Sequence, residues 1–459
     1  EKDNLQLKYL QIITRHGLRV PGSSMLPLNE HLMSWSCDYG DLFLQDQQAK
    51  QALERALNVQ KPYLFVTASK PQNENAAGKS RQHLRKYIEH GRVVSEKKEC
   101  PRYALTTQGL EQMIGVGKAF RKRYIEDLQF LSPELNENNI YVRSTNTDRT
   151  ILTAQSVLVG FFPQDSSHEE SRPLVPIHVV GDHDENMYPR YSVCDLWKKM
   201  RSDVFAREEY VARNEKNQAL RDQLQKIFLT KTPLPRRTWQ GFTNSMLSTI
   251  AHQPTHLCTA FRQDFPMCQQ VRNLTDSVIP LEVSEAMVRD IEAESGFEMT
   301  QKYSTRLLRR LAIGPFVKDL FDDLSAAKRS NNSKMALFSG HDNTVGPLLN
   351  AFDVFDGQHP PMGSHIVIEL YEAVNSPERH YVRLIYNNKV MPLQDALEAL
   401  EKNTYTHVKN NDKRAKLIEA PQKNPTTQSI EGLISFEAFE KLAKEVIPVD
   451  YDEECRLLE

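Results

Sequence analysis

Leu7-Lys8-Tyr9-Leu10-Gln11-Ile12-Ile13 runs directly into Thr14-Arg15-His16-Gly17-Leu18-Arg19-Val20-Pro21-Gly22. The first piece is mostly apolar, contains two isoleucines and a tyrosine, and stops at a Gly- and Pro-bearing segment, which reads as a short buried strand. The second crowds Arg15, His16 and Arg19 into five positions. The cations therefore sit on the loop that leaves the carboxyl end of a strand, the edge at which open α/β sheets bind their ligands.

The same grammar recurs. Ile140-Tyr141-Val142 reads as a strand running into Arg143-Ser144-Thr145, after which Ile151, Ala154, Leu158 and Phe161 mark one face of a helix. Met335-Ala336-Leu337-Phe338 gives a third strand, ending in Ser339-Gly340-His341-Asp342-Asn343-Thr344. Leu110, Met113, Ile114, Gly117, Phe120 and Tyr124 recur at helical spacing between Thr106, a candidate N-cap, and about Leu128. Stretches 365–371 and 381–386 predict a hairpin, Asn387-Asn388 a turn into one more short strand, and 436–445 a last helix after a polar tail at 403–430. Residues 165–320 lack this regularity, carry many charges, and show helical stretches near 194–229 and 283–311 joined by Thr232-Pro233-Leu234-Pro235. The expected architecture is α/β: a Rossmann-like central sheet flanked by helices, with a mainly helical inserted cap domain. The core occupies 1–164 and 321–459, and the cap 165–320.

Charge narrows the function. Lys plus Arg number 58 against 60 Asp plus Glu, a net charge of -2, so nothing draws the whole molecule to nucleic acid or to an anionic membrane. Any cationic site must be local. No apolar run approaches the roughly 20 residues needed to span a bilayer, and Glu1-Lys2-Asp3-Asn4 is too charged to open a signal peptide. A leader or anchor is accordingly expected to be absent from this chain. The cysteines are Cys37, Cys100, Cys194, Cys258, Cys268 and Cys455, with no C-x-x-C pair to suggest a zinc ribbon or a thioredoxin-like motif. Both disulfides and scattered thiols remain open on content alone. Sequons stand at Asn273 and Asn331 and permit, without requiring, glycosylation.

The strand ends carry Arg15, His16 and Arg19, then Arg143 and Arg149, then His341 and Asp342. A guanidinium fork matches phosphate oxygens bidentately and stays charged at any working pH, so several converging arginines imply a tetrahedral anion. Cationic neighbours favour the neutral form of an imidazole, which makes it a nucleophile. Asp342 is the short carboxyl that could hand a proton to a departing oxygen, and His341 adds a donor to the phosphoryl group. Singly, an arginine on a loop or an adjacent His-Asp pair is ordinarily a solvated charge or a helix cap; the string Arg-His-Gly-x-Arg-x-Pro after a strand is far more specific.

Arg15-His16-Gly17-Leu18-Arg19-Val20-Pro21 resembles the signature of the histidine acid phosphatases, branch 2 of the histidine phosphatase superfamily, and Gly340-His341-Asp342 resembles that branch's second signature. Tyr141 to Thr150 looks like the stretch that supplies the family's third phosphate-binding arginine, by position Arg149, which leaves Arg143 a supporting role. The resemblance covers almost the whole chain. It implies hydrolysis of phosphate monoesters through a phosphohistidine on His16, with Asp342 as proton donor, phosphate held by Arg15, Arg19, Arg149 and His341, and no metal or other cofactor. Similarity to the lysosomal and prostatic members implies a Cys194–Cys455 disulfide, with Cys37–Cys100 and Cys258–Cys268 as the remaining arrangement, and hence the secretory pathway: secreted, lysosomal or Golgi lumen. Leu18 departs from the Asp or Ala often found there. The longer segment 24–100 and the charged insertion resemble the phosphoxylose and lysophosphatidic acid phosphatase members.

The partner expected is therefore a phosphomonoester, with an acidic optimum because arginines lower the Asp342 pKa unless the bound dianion raises it. Whether two chains associate as a homodimer is left open. An inositol-phosphate phosphatase of the phytase kind shares this centre but uses extra cations in the pocket wall, for which Lys79, Arg81 and Lys86 are available. A phosphate- or glycan-binding module that had lost catalysis is the alternative outside enzymes. Trp35, Trp197 and Trp239 are read as packing residues rather than substrate platforms.

Overall fold

The computed structural model describes residues 4–22, 37, 100–163, 175–227, 239–251, 284–330, 333–402 and 432–456. Strand β1 spans Leu5–Arg15. Helix α1, Thr107–Arg121, follows and continues as a π-helical turn over Lys122–Asp127. Next come β2 (Ile140–Ser144), α2 (Asp148–Phe161) and the short β3 (Ile177–His178). A helical stretch then contains α3 (Asp195–Ala206), α4 (Glu208–Lys216), α5 (Gln218–Ile227), α6 (Trp239–Ala251), α7 (Glu285–Lys302) and α8 (Arg306–Arg329). The chain returns through β4 (Met335–Gly340), α9 (Asp342–Ala351), β5 (His365–Ala373), β6 (Ser376–Tyr386), β7 (Lys389–Val390), α10 (Leu393–Glu401), β8 (Ile434–Ser435) and α11 (Phe436–Lys444).

These strands form one eight-stranded sheet in the order β3-β2-β4-β1-β5-β6-β7, with β8 added on β6. Strands β3, β2, β4 and β1 run parallel, and β5 joins antiparallel to β1. The register aligns Arg15 with Gly340 and Ser144 with Ser339, so three carboxyl ends finish side by side. That alignment brings the polar loops seen in the sequence to one edge.

Both faces are covered, which is why the central strands read as nearly unbroken apolar runs. Tyr9, Ile13, Ala336 and Phe338 point into a core with α8, α9 and α11. Leu10, Ile12, Met335, Leu337 and Val142 point into another with α1 and α2. Each side chain fully buried there contributes about 1.5–3 kcal/mol over the exposed state. Leu224, Trp239, Phe242, Met246, Met287, Val288 and Ile291 form a separate small core between the helices of the insertion.

Residue 320 falls inside α8, whose Leu308, Leu311, Phe316 and Leu320 belong to the sheet's own core. So do Cys194 and Trp197, while β3 extends the sheet edge beyond residue 164. The hairpin is longer than its apolar windows because β6 begins with the exposed Pro377, Glu378 and Arg379. Asn387 and Asn388 both take positive φ, 45° and 66°, as a tight two-residue turn into β7 requires. Disulfides join Cys194 to Cys455 and Cys37 to Cys100. Cys258, Cys268, Asn273, Asn331, Trp35, Lys79, Arg81, Lys86, the proline-rich piece 232–235 and the tail 403–430 lie outside the described residues. No helix among the described residues is long and apolar enough to cross a membrane.

Candidate active site

Main-chain hydrogen bonds fix the first loop. His16 N donates to Gly340 O at 2.9 Å and Gly363 N donates to His16 O at 3.0 Å. The loop then lies directly on the start of α1: a Cβ on Gly109 would stand 1.9 Å from Leu18 O, and one on Gly17 would stand 2.6 Å from Gly109 O. Only glycine allows that approach. Thr106 caps α1 by accepting from Gly109 N at 3.1 Å, and its own N–H donates to Leu18 O.

His16 is buried, and its Nδ1 lies 2.9 Å from Gly17 O. A carbonyl only accepts, so Nδ1 carries the proton and Nε2 keeps a free lone pair. Burial first, then the charges of Arg15, His341, Arg149 and Arg19, hold its pKa well below the usual histidine value. His341 faces it with ring centroids 5.6 Å apart. The Nδ1 of His341 is 3.4 Å from Arg149 Nη2, which only donates, so His341 accepts there and presents Nε2–H to Thr145 Oγ1 at 2.9 Å. Burial and Arg149 push its pKa down to about 3, against a partial upward pull from Asp342.

Three guanidiniums surround these imidazoles. Arg15 is fully buried and donates to Pro360 O and, at 2.6 Å, to Asn244 Oδ1. Arg19 donates to Val20 O at 2.9 Å, and its guanidinium lies 5.1 Å from the centre of the Tyr103 ring; that of Arg149 lies 5.8 Å from the same ring. The Nε of each of the three is buried without a partner among the described residues. Burial, then mutual repulsion with Arg15 and Arg149, lowers the Arg19 pKa to about 10. Buried donors and crowded like charges are what an anion would relieve. Helices α2 and α9 also begin at this edge, and their N-termini add positive potential.

Asp342 is the counter-charge. Its Oδ2 accepts from Asn244 Nδ2 at 2.8 Å, lies 3.2 Å from His359 Nε2 and 3.7 Å from Arg15 Nη2, and its Oδ1 accepts from Asn343 N at 2.8 Å. Burial favours the neutral acid, but Arg15, His359 and Asn244 outweigh it and hold the carboxyl well below the ordinary range. The structure thus gathers Arg15, His16, Arg19, Arg149, His341 and Asp342 around one cup. Arg143 lies apart, paired with Glu185 Oε1 at 2.9 Å and Asp319 Oδ2 at 3.1 Å, and donating to Asn186 Oδ1 at 2.7 Å. Residues that sequence reasoning missed are Tyr103, Thr145, Tyr188, whose ring meets His341 edge-on at 5.7 Å, and the pair Asn244 and His359. Thr145 stands in the strand-end stretch quoted from the sequence, without a role read for it; the others belong to no local pattern and become visible only when the chain closes. No group of three or more His, Cys, Asp or Glu able to hold a metal ion stands among the described residues.

Residues 6–387 match the family model of the histidine phosphatase superfamily, branch 2. The chain belongs to that family. Among similar histidine phosphatases, one named "Probable acid phosphatase" from Dictyostelium discoideum is 24% identical over 476 residues, covering 100% of this chain and 83% of its own length. The lysophosphatidic acid phosphatase type 6 of Bos taurus is 25% identical over 403 residues, covering 85% of this chain and 79% of its own. A solved phytase from Klebsiella sp ASR1 superposes with a TM-score of 0.56 at 13% identity, covering 99% of this chain and 100% of the other, which establishes the shared fold.

Proposed function

We propose that this histidine acid phosphatase hydrolyses phosphate monoesters on the cup just described, and the observation that carries the reading is the His16 tautomer. With Nδ1–H engaged by Gly17 O, the Nε2 lone pair is presented among three arginines. A phosphoryl group binds Arg15, Arg19 and Arg149. Its charge raises the His341 pKa, so the protonated ring becomes a donor to a phosphoryl oxygen. His16 Nε2 attacks phosphorus, the N–P bond forms as the ester P–O bond breaks, and Asp342 gives its proton to the leaving alkoxide oxygen. The phosphorylated ring is cationic, and its Nδ1–H keeps the Gly17 carbonyl as partner. Water then attacks phosphorus, Asp342 takes its proton back, the N–P bond breaks, and neutral His16 and inorganic phosphate result.

In the empty cup Asp342 is ionised, so its proton must arrive with the substrate. Below about pH 6 a phosphomonoester carries one proton itself. Delivery of that proton to Asp342 as the dianion settles on the arginines makes the enzyme most active in acid. The Cys194–Cys455 and Cys37–Cys100 disulfides suit an oxidising compartment such as the secretory pathway.

Mixing enzyme with p-nitrophenyl phosphate near pH 5 and quenching in alkali, where a P–N bond survives, should leave a phosphoryl group on His16 by mass spectrometry. His16→Ala should carry none and lose turnover by roughly four orders of magnitude or more. A phosphoryl group on another residue, or ordinary turnover in that variant, refutes the reading. Phosphate release from phytate, lysophosphatidate and p-nitrophenyl phosphate compared side by side sorts the substrate class.

A further inference from the structure

Asn244 lies on α6 in the insertion and His359 in the loop after α9, far apart in sequence, yet both reach the Asp342 carboxylate. Asn244 Oδ1 accepts from Arg15 Nη2 at 2.6 Å and sits 2.9 Å from His359 Nε2, while its Nδ2 donates to Asp342 Oδ2. Since Asn244 Oδ1 and the Asp342 carboxylate both only accept, His359 Nε2 must carry its proton. Its Nδ1 then accepts from Ser295 Oγ on α7, 3.1 Å away. A second tie joins the same helices to the next residue: Gln240 Nε2 donates to Asn343 Oδ1 at 3.0 Å, and Gln240 Oε1 accepts from Lys302 Nζ at 2.7 Å. His359 and Ser295 are buried, so these bonds are made without competition from water.

We propose that Asn244 and His359 are positioning residues that hold Asp342 Oδ2, and with it Arg15, in the attitude proton transfer to the leaving oxygen requires. The proposal rests on the reading of Asp342 as proton donor. It makes the helical insertion part of the catalytic apparatus: α6 supplies the amide that ties the first phosphate-binding arginine to the acid, and α7 supplies the hydroxyl that donates to His359 Nδ1. The charged and titratable groups acting on Asp342 or on its neighbour His359 are Arg15 from β1, Arg19 from the following loop, Arg149 from α2, His341 at the start of α9, His359, and Lys302 from α7. Tyr191 and Tyr303 also lie within its field, and Glu298 pairs with Lys302 at 2.9 Å. Of the groups that favour its charged form by donating directly to Oδ2, Asn244 and His359 can be removed without touching phosphate.

The test is leaving-group dependence. Glycerol phosphate needs a protonated leaving oxygen; p-nitrophenyl phosphate does so far less. Asn244→Ala and His359→Ala should each lower kcat/KM on glycerol phosphate at least about tenfold more than on p-nitrophenyl phosphate. Loss of donors to a carboxylate raises its pKa, so the alkaline limb of kcat should move to higher pH in both variants. His359→Gln, which keeps a donor, should recover most of both effects. Ser295→Ala, which removes only the hydroxyl behind His359, should change them in the same direction by less, and it serves if alanine at 359 does not fold. Equal losses on the two substrates with an unmoved limb overturn the proposal and leave Asn244 and His359 as packing. Asp342→Asn separates the two failures. If it lowers kcat/KM, which reports phosphoryl transfer and not the shared hydrolysis step, alike on both substrates, the proton-donor reading falls; if it is selective while the Asn244 and His359 variants are not, only the positioning proposal falls.

Discussion

Two regions of this molecule bury arginines beside histidine or tyrosine, and they do opposite things with the charge. Behind β5, Glu369 is completely buried and accepts from Tyr124 Oη at 2.8 Å, Arg123 Nη2 at 3.0 Å, Tyr371 Oη at 3.0 Å and Arg383 Nε at 2.7 Å. Burial there would lower the Arg123 pKa, but Tyr124 and Glu369 outweigh it and raise it. At the carboxyl edge, Arg19 and Arg149 have no carboxylate within ion-pair distance among the described residues, and both pKa values fall. Arg143, one residue before Ser144 at the same edge, follows the first pattern: Glu185 and Asp319 outweigh burial and raise it. A buried arginine with its carboxylate in place is structure. One without it carries an uncompensated buried charge that a bound anion would stabilise.

Removing the resident anion is the strongest way to break this contrast. Glu369→Gln strands the buried Arg383 without its carboxylate, loosens the half-buried Arg123, and should cost about 3–5 kcal/mol in a denaturant titration, while folded enzyme keeps its kcat. A cost near zero would mean that the knot behind β5 is as loosely held as the cup.

Supplying the missing anion sharpens it. Inorganic phosphate at about a hundred times its Kd should stabilise the enzyme by about 2.7 kcal/mol. The pH dependence has a definite sign. His16 and His341 are held neutral far below the ordinary histidine range, so between roughly pH 6.5 and their folded values the unfolded chain binds protons that the folded one refuses. Asp342, held ionised, adds the same sense below about pH 4. Stability of the empty enzyme therefore falls with acid. Bound phosphate raises these pKa values toward their unfolded ones, so the gap in melting temperature with and without phosphate should widen from about pH 7.5 to about pH 5.5. A gap that narrows over that range would argue against proton uptake on binding.

The smallest effect concerns the aromatic wall. Tyr103 is 47% exposed, adopts a φ of 66°, and lies beside the guanidiniums of Arg19 and Arg149, which have no carboxylate partner among the described residues. Tyr103→Ala removes contacts worth about 0.5–1 kcal/mol at an exposed site, so KM should rise a few-fold with kcat little changed. A large fall in kcat would show that the ring does more than brace Arg19 and Arg149.

Much of this was legible in the sequence because it is local. A buried parallel strand writes itself as Leu10-Gln11-Ile12-Ile13 or Met335-Ala336-Leu337-Phe338, and the residues following each strand must lie at the same edge once the strands pair in parallel. Arg15, His16, Arg19, Arg149, His341 and Asp342 come together for that reason. Asn387-Asn388 was equally readable, since few side chains tolerate two successive positive φ angles. Asn244 and His359 carried no such mark: an asparagine inside a helix and a histidine in a loop look like solvated polar residues until the insertion folds back over Asp342. Helix α8 and the segment around Cys194 and Trp197 look as charged as their neighbours along the chain, yet their apolar faces dock onto the sheet.

The hydrogen bond from His16 N to Gly340 O joins the two halves of the site through the backbone itself, in line with the β1–β4 ladder. The proposed nucleophile and the proposed acid thus follow two ends of one seam. Opening the seam to admit a bulkier ester would break the β1–β4 ladder in the middle of the sheet, so loss of activity by that route is expected to coincide with loss of the fold. Diversification of what the enzyme accepts is then confined to the rim, where side chains can change while the seam stays shut.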